Sequence, residues 1–337
     1  MACIERLESR HLLAVTVALT GTDLRVVLSA SGDEAFLTSD GVRYTVDGTG
    51  LAGTSFTIAA VDSIVVDSEG LGLVDQSFTV RDGAAVIDTL TVTGGIARTT
   101  ILGALDIGAP VPGVSIGSPT ILLGNDVTTL GGDQFYGGAV TLTKDVTIAN
   151  RFVGGRSPTI VFAGSVDGPF SLTASNPGLV TNFGQDVGSV TPLKSLVTVQ
   201  DGAAGGVSLA SVTTTGVQKY GGIATLSGTY KTRDSSFEVA GATLVTGAVT
   251  VVTGAGGVAF AGTIDAGQEG PASLSVASAG TTSFGDAVGG KTPLESVSTD
   301  AGGSTTLSGP VTTIGPQSYG DAVTLRSAIT LTATTVT

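Results

Sequence analysis

Apolar and polar residues alternate along this chain in short bursts. Leu24-Arg25-Val26-Val27-Leu28, Val42-Arg43-Tyr44-Thr45-Val46 and Thr89-Leu90-Thr91-Val92-Thr93 alternate or run apolar, and Ser-Gly-Asp, Asp-Gly or Gly-Gly clusters interrupt such stretches. That pattern predicts strands. Beyond residue 14 no stretch sustains helical spacing, so the expected class is all-β. Residues 103–120, GALDIGAPVPGVSIGSPT, hold three prolines and read as a loop or domain seam.

The bursts repeat. Val127 to Leu142 (VTTLGGDQFYGGAVTL) aligns with VTTTGVQKYGGIATL from Val212 and VTTIGPQSYGDAVTL from Val311, which puts tyrosines at 136, 220 and 319, spaced by 84 and 99 residues. TNFGQDVGSVTPLKSL from Thr181 aligns with TSFGDAVGGKTPLESV from Thr282, and VFAGSVDG from Val161 with AFAGTIDAG from Ala259. Inside this long unit lies a cassette of one large apolar residue, three small or polar residues, then Val or Ile. It begins at Tyr136, Phe162, Phe183, Phe260, Phe284, Leu307 and Tyr319, and neighbouring cassettes are 26, 21, 24, 23 and 12 residues apart. Most steps match one coil of about three short strands, stacked ~4.8 Å above the last. The expected fold is a right-handed parallel β-solenoid with rungs of 21–26 residues. The alternative is tandem β-sandwich domains, because about 100 residues also make one sandwich. The expected organisation is a motif over 1–14, an N-terminal β region over 15–125 made of a cap or degenerate coils, and solenoid repeats over 126–337. The last unit stops before its next Phe cassette, which predicts the N-terminal part of a longer repetitive chain.

Composition agrees with strands and narrows the partners. Charged residues are 13% of the chain, Gly numbers 51 and Trp is absent. The 15 Lys+Arg against 28 Asp+Glu leave a net charge of −13, a field that disfavours nucleic acid and anionic membrane surfaces. No run of 18 apolar residues predicts a membrane-spanning helix. Leu12 to Leu19 is a poor secretory leader, short and preceded by balanced Glu and Arg, and reads better as a first strand.

Candidate chemistry is sparse. Gly285 to Thr292, GDAVGGKT, fits the phosphate-loop pattern letter for letter, but Pro293 and a predicted strand follow where a helix is needed. Its sister at Gly184, GQDVGSVT, lacks the second Gly and the Lys, so a repeat-derived turn explains both. Cys3 and His11 are the only Cys and His, which leaves no nucleophile–His pair around a core site and no zinc spacing. Carboxylates with Lys or Arg on adjacent rungs would keep a β-helix lyase or hydrolase open. Aspartates such as Asp82, Asp201 and Asp300 sit near Gly and read as turn formers. No cofactor is expected, beyond incidental calcium at acidic turns such as Ser31-Gly32-Asp33-Glu34.

Two resemblances add to this. TTSFGDAVGG, STTLSGPVTT and QSYGDAVTL, within 126–337, resemble the β-strand repeats of large bacterial surface proteins of the filamentous haemagglutinin and adhesin kind. CIERLESRHLLAV, residues 3–15, resembles the LExLExRxLLA-type motif near the start of many extracellular proteins of planctomycete bacteria. Glu5, Leu7, Glu8, Arg10, Leu12, Leu13 and Ala14 fall on that pattern, with Ile4 in place of its first Leu. These resemblances imply a non-enzymatic, exported or surface-attached protein, sorted by its N-terminal motif. Its solenoid would be a stalk or adhesive surface for polysaccharide, for protein on a cell surface, or for its own matrix. The competing readings are a carbohydrate-active β-helix enzyme or its scaffold region, and an intracellular structural repeat protein. For the opening motif the alternative is a short helical cap with Ile4, Leu7 and Leu12 along one side.

Overall fold

The computed structural model describes residues 15–69, 74–81, 85–108, 113–151, 157–177, 179–200, 205–267 and 270–337. The chain winds as a parallel β-solenoid of about 11 turns. Among the described residues, every strand pairing after Leu51–Thr57 is parallel and joins one rung to the next, which excludes a string of sandwiches.

Each full rung contributes to three faces. Val114–Ile116 lies on the first face, Thr120–Leu123 on the second and Val127–Leu130 on the third, and the next rung repeats them as Gln134–Tyr136, Ala139–Leu142 and Val146–Arg151. Along the third face, from Ala85–Ile87 to Ala322–Leu325, paired positions are 18 to 26 residues apart. The cassette spacing therefore reports the rung, with somewhat wider variation than the sequence suggests.

Alternation decides which side chains enter the core. Val146 and Ile148 point inward from one strand while Thr147 and Ala149 face out, as period two requires. Identical positions then stack. Leu24, Ile64, Leu90 and Val114 form one buried column across four rungs.

Antiparallel strands close the N-terminal end. Val15–Thr20 pairs antiparallel with Asp23–Leu28 on the first face, and Arg43–Gly48 and Leu51–Thr57 extend antiparallel from Glu34–Ser39 on the second. Such strands occupy the hydrogen-bonding edges of the first rung. The described parts of 103–120, which exclude 109–112, are neither loop nor seam. Leu105–Ile107 and Val114–Ile116 stand in register with strands before and after them, and Pro119 lies at the corner leading into Thr120–Leu123. Proline is tolerated there because it stands just ahead of the first residue of a strand, where the ladder can do without an N–H.

The cassette is a corner. Its large residue ends one strand and its Val or Ile enters the next face, so large residues of adjacent rungs meet in the core. Tyr136, Phe162 and Phe183 stack at 4.9 Å with interplanar angles of 11° and 8°, and Phe260 and Phe284 stack likewise on another face, with Phe237 tilted against Phe260. Glycine follows because corners stack too closely for a side chain. A Cβ on Gly164 would lie 2.3 Å from the carbonyl oxygen of Gly138, and one on Gly138 2.1 Å from that of Ser118.

The same corner motif appears in all three settings. Phe162 and Phe183 turn from the first face to the second, Phe260 and Phe284 from the third to the first, and Tyr319 from the second to the third. The long repeat explains this. From Gln134 the register climbs three turns, through Ile160 and Thr181 to Val207, and Gln218–Tyr220 comes two strands later. From Gln218 it climbs four turns to Thr305, and Gln317–Tyr319 again comes two strands later. Each repeat therefore falls one-third of a turn short of a whole number of rungs, and successive copies move round by one face.

Candidate functional site

The loop that matches the phosphate pattern is the clearest place to look for chemistry. Thr281–Phe284 leads into it, and strand Ser296–Thr299 follows in place of a helix. Gly289 takes φ 68° and donates its N–H to Ile264 O at 2.6 Å. That positive φ favours glycine. The next amides turn inward: the Lys291 and Thr292 N–H groups donate to Asp265 Oδ1 at 2.7 and 3.2 Å. An internal carboxylate thus holds the position that a bound phosphate would take in a backbone nest. The sister loop does the same. Gly188 has φ 69°, and the Val190 and Thr191 N–H groups donate to Asp167 Oδ1 at 2.8 and 3.0 Å.

Clips of this kind recur between rungs. Asp126 Oδ1 accepts from Thr147 N–H at 2.7 Å, Asp145 Oδ1 from Ser171 N–H at 2.9 Å, and Asp234 Oδ1 from Ala255 N–H at 3.0 Å. Hydrogen bonding from Ser171 N–H, aided by Lys194, holds the Asp145 carboxyl below its ordinary pKa. Asp300, read from sequence as a local turn former, accepts from Ser278 N–H in the preceding rung at 3.1 Å. Its job is lateral. Asp82 and Asp201 lie outside the described residues. Asp40 is a true local turn former, with Oδ1 accepting from Val42 and Arg43 N–H, which lowers its pKa.

A polar knot underlies the tyrosine repeat. In the first copy Tyr136 Oη donates to Gln134 Oε1 at 2.8 Å, Gln134 Nε2 donates to Thr129 Oγ1 and Ala149 O, and Thr129 Oγ1 donates to Gly132 O. Thr214, Gln218 and Tyr220 repeat it, as do Thr313, Gln317 and Tyr319. These buried polar groups satisfy one another and the backbone of the next rung. Sequence alignment finds the motif; only the structure shows that it faces inward.

Outside, the loop at Gly289 rises over the first face and walls a groove of about 340 Å³. Ile223, Leu244 and Ala266 give it apolar surface, and Asp265, Lys291 and Thr292 form its polar side. The pairing column under this groove is Thr225–Leu244–Asp265. Beside the sister loop it is Leu122–Thr141–Asp167, and Val190, 85% exposed, stands where Lys291 stands in the other copy. Charged pairs on the third face, Lys219–Glu238 at 3.5 Å and Lys194–Asp145 at 3.6 Å, are open to solvent.

Glu5, Leu7, Glu8, Arg10, Leu12, Leu13 and Ala14 of the sorting motif, with Cys3 and His11, lie outside the described residues. No helix among the described residues is long and apolar enough to cross a membrane. In comparisons with protein-family models, curated proteins and solved structures, nothing matches this chain.

Proposed function

We propose that this is a non-enzymatic, adhesin-like structural repeat protein of the cell exterior, exported through its N-terminal motif and serving as a stalk or adhesive surface. One observation supports this reading above the others: the repeated residues build the rod. Stacked aromatics, corner glycines, Thr–Gln–Tyr knots and Asp clips all recur within the wall or core, whereas the exposed loop shared by Gly188 and Gly289 changes its chemistry between copies, Lys291 for Val190. Eleven steps at ~4.8 Å give a rod about 50 Å long. Its partners would be polysaccharide or protein of a cell surface or matrix.

A carbohydrate-active enzyme is the competing reading, and its acids and bases would come from adjacent-rung pairs such as Lys219–Glu238. Two measurements separate them. The full chain should retain cells or matrix polysaccharide on a coated surface without releasing reducing ends or unsaturated sugars; product release abolished by Glu238→Gln would establish the enzyme. Changing Glu8, Arg10 and Leu13 together to Ala should abolish export and leave the β circular dichroism intact. Unchanged export with a destabilised solenoid would make the motif a cap.

A further inference from the structure

Beside the first turns of the solenoid a cavity of about 500 Å³ opens, lined by residues that include Gly32, Glu34, Asp75, Gln76 and Arg98. Glu34 pairs with Ser77 in the parallel ladder, so Asp33 and Gln76 stand side by side one position earlier. Ser77 N–H donates to Asp33 O at 2.9 Å, which fixes that juxtaposition. Both side chains are fully buried.

Their hydrogen bonds are one-sided. Gln76 Nε2 donates to Leu28 O at 2.9 Å and Ala30 O at 3.0 Å, which sets the amide's orientation and turns Oε1 away from those carbonyls. Asp33 Oδ2 accepts from Ser29 and Ala30 N–H at 3.0 and 2.9 Å. The two remaining oxygens, Asp33 Oδ1 and Gln76 Oε1, have no partner among the described residues. Buried acceptors without donors are costly, on the order of 1–3 kcal/mol each. Other buried side-chain oxygens are also unpartnered, at Asn176, Thr181, Thr243, Thr305 and Asp321, but none of those residues lines this cavity or the groove at Leu244. Gln76 does line the cavity, Asp33 sits beside it between the lining residues Gly32 and Glu34, and Glu34 and Asp75 add two carboxylates against one guanidinium, Arg98.

We propose that this corner binds a divalent cation with calcium's preference for oxygen. Asp33 Oδ1 and Gln76 Oε1 are the buried ligands, and Glu34 and Asp75 supply charge at the mouth. No three acidic side chains converge among the described residues, so the site is one of mixed oxygens completed by carbonyls or water. That composition suits the weak range of extracellular modules, a Kd of about 10⁻⁴–10⁻³ M. Binding ties the turn at residues 28–33 to strand Ser77–Val80, joining the antiparallel cap to the first parallel rungs. The inference stands independently of the adhesive reading.

Calorimetric titration of the chelator-treated full chain with calcium chloride, with magnesium chloride as comparison, tests it. Calcium should bind in this range, more tightly than magnesium, and raise the Tm by about 3 °C at roughly ten times the Kd. Asp33→Asn should weaken binding by about tenfold. Asp75→Asn, at a residue with φ 61° that asparagine accepts, should weaken it severalfold and keep the fold even if Asp33→Asn does not. Absence of binding and of any Tm shift at about 10 mM calcium, well above the expected Kd, would overturn the proposal. So would calcium affinity unchanged in folded Asp75→Asn and Glu34→Gln chains.

Discussion

Glycine and tyrosine carry the strongest single-residue demands in this molecule, for opposite reasons. Gly164 is required by what it lacks: its Cβ would enter the backbone of Gly138 one rung away. Gly164→Ala should therefore destabilise by about 1–3 kcal/mol, read by denaturant unfolding. Gly290→Ala, whose new methyl would meet only the Ala287 Cβ at 3.3 Å, should be near neutral. All five tyrosines have phenols pushed above the ordinary 10 by burial, Tyr44 and Tyr319 to about 12 and Tyr136, Tyr220 and Tyr230 upward as well. The raised native values mean that this stabilisation is complete below pH 10 and is lost as pH rises through 12. Tyrosinate absorbance should accordingly appear well above pH 10, near pH 12 for Tyr44 and Tyr319 or together with loss of the β circular dichroism signal. Titration near pH 10 in a chain that keeps its β signal would contradict the burial.

At the scale of the element, corners and clips define the rung. Asp265→Ala removes the acceptor of two loop N–H groups and should cost about 1–3 kcal/mol, whereas Lys291→Ala on the same loop should stay within about 0.5 kcal/mol. A phosphate-binding loop would show the reverse sensitivity, in nucleotide affinity. Rungs were legible in the sequence because each inward column needs a large apolar residue at every turn, and Tyr136, Phe162 and Phe183 announce that column directly. Clips were not legible, since their donors are backbone N–H groups, which every residue but proline carries. Pro119 misled for a related reason: proline marks a break in a ladder, and the solenoid corner it occupies is a break that does not end the domain; Pro110 and Pro112 lie outside the described residues. The antiparallel strands at 43–57 carry the same alternation as the rungs, and alternation does not encode strand direction.

For the whole molecule, the repeat and the turn have different periods. Copies at Tyr136, Tyr220 and Tyr319 occupy the first, third and second faces in succession, so each face accepts the same knot and each corner the same cassette. The three faces are thus quasi-equivalent, and the sister loops at Gly188 and Gly289 emerge one-third of a turn apart around the rod. Sequence spacing alone could not reveal this, because pairings that vary from 18 to 26 residues on one face hide how many turns a repeat contains. Deleting residues 220–318, one repeat of 99 residues, tests it most directly by small-angle scattering with thermal unfolding. The expected product is a cooperatively folded rod with an unchanged cross-section, shorter by about 22 Å for four and two-thirds rungs. A broadened cross-section or loss of cooperative unfolding would contradict faces that are interchangeable.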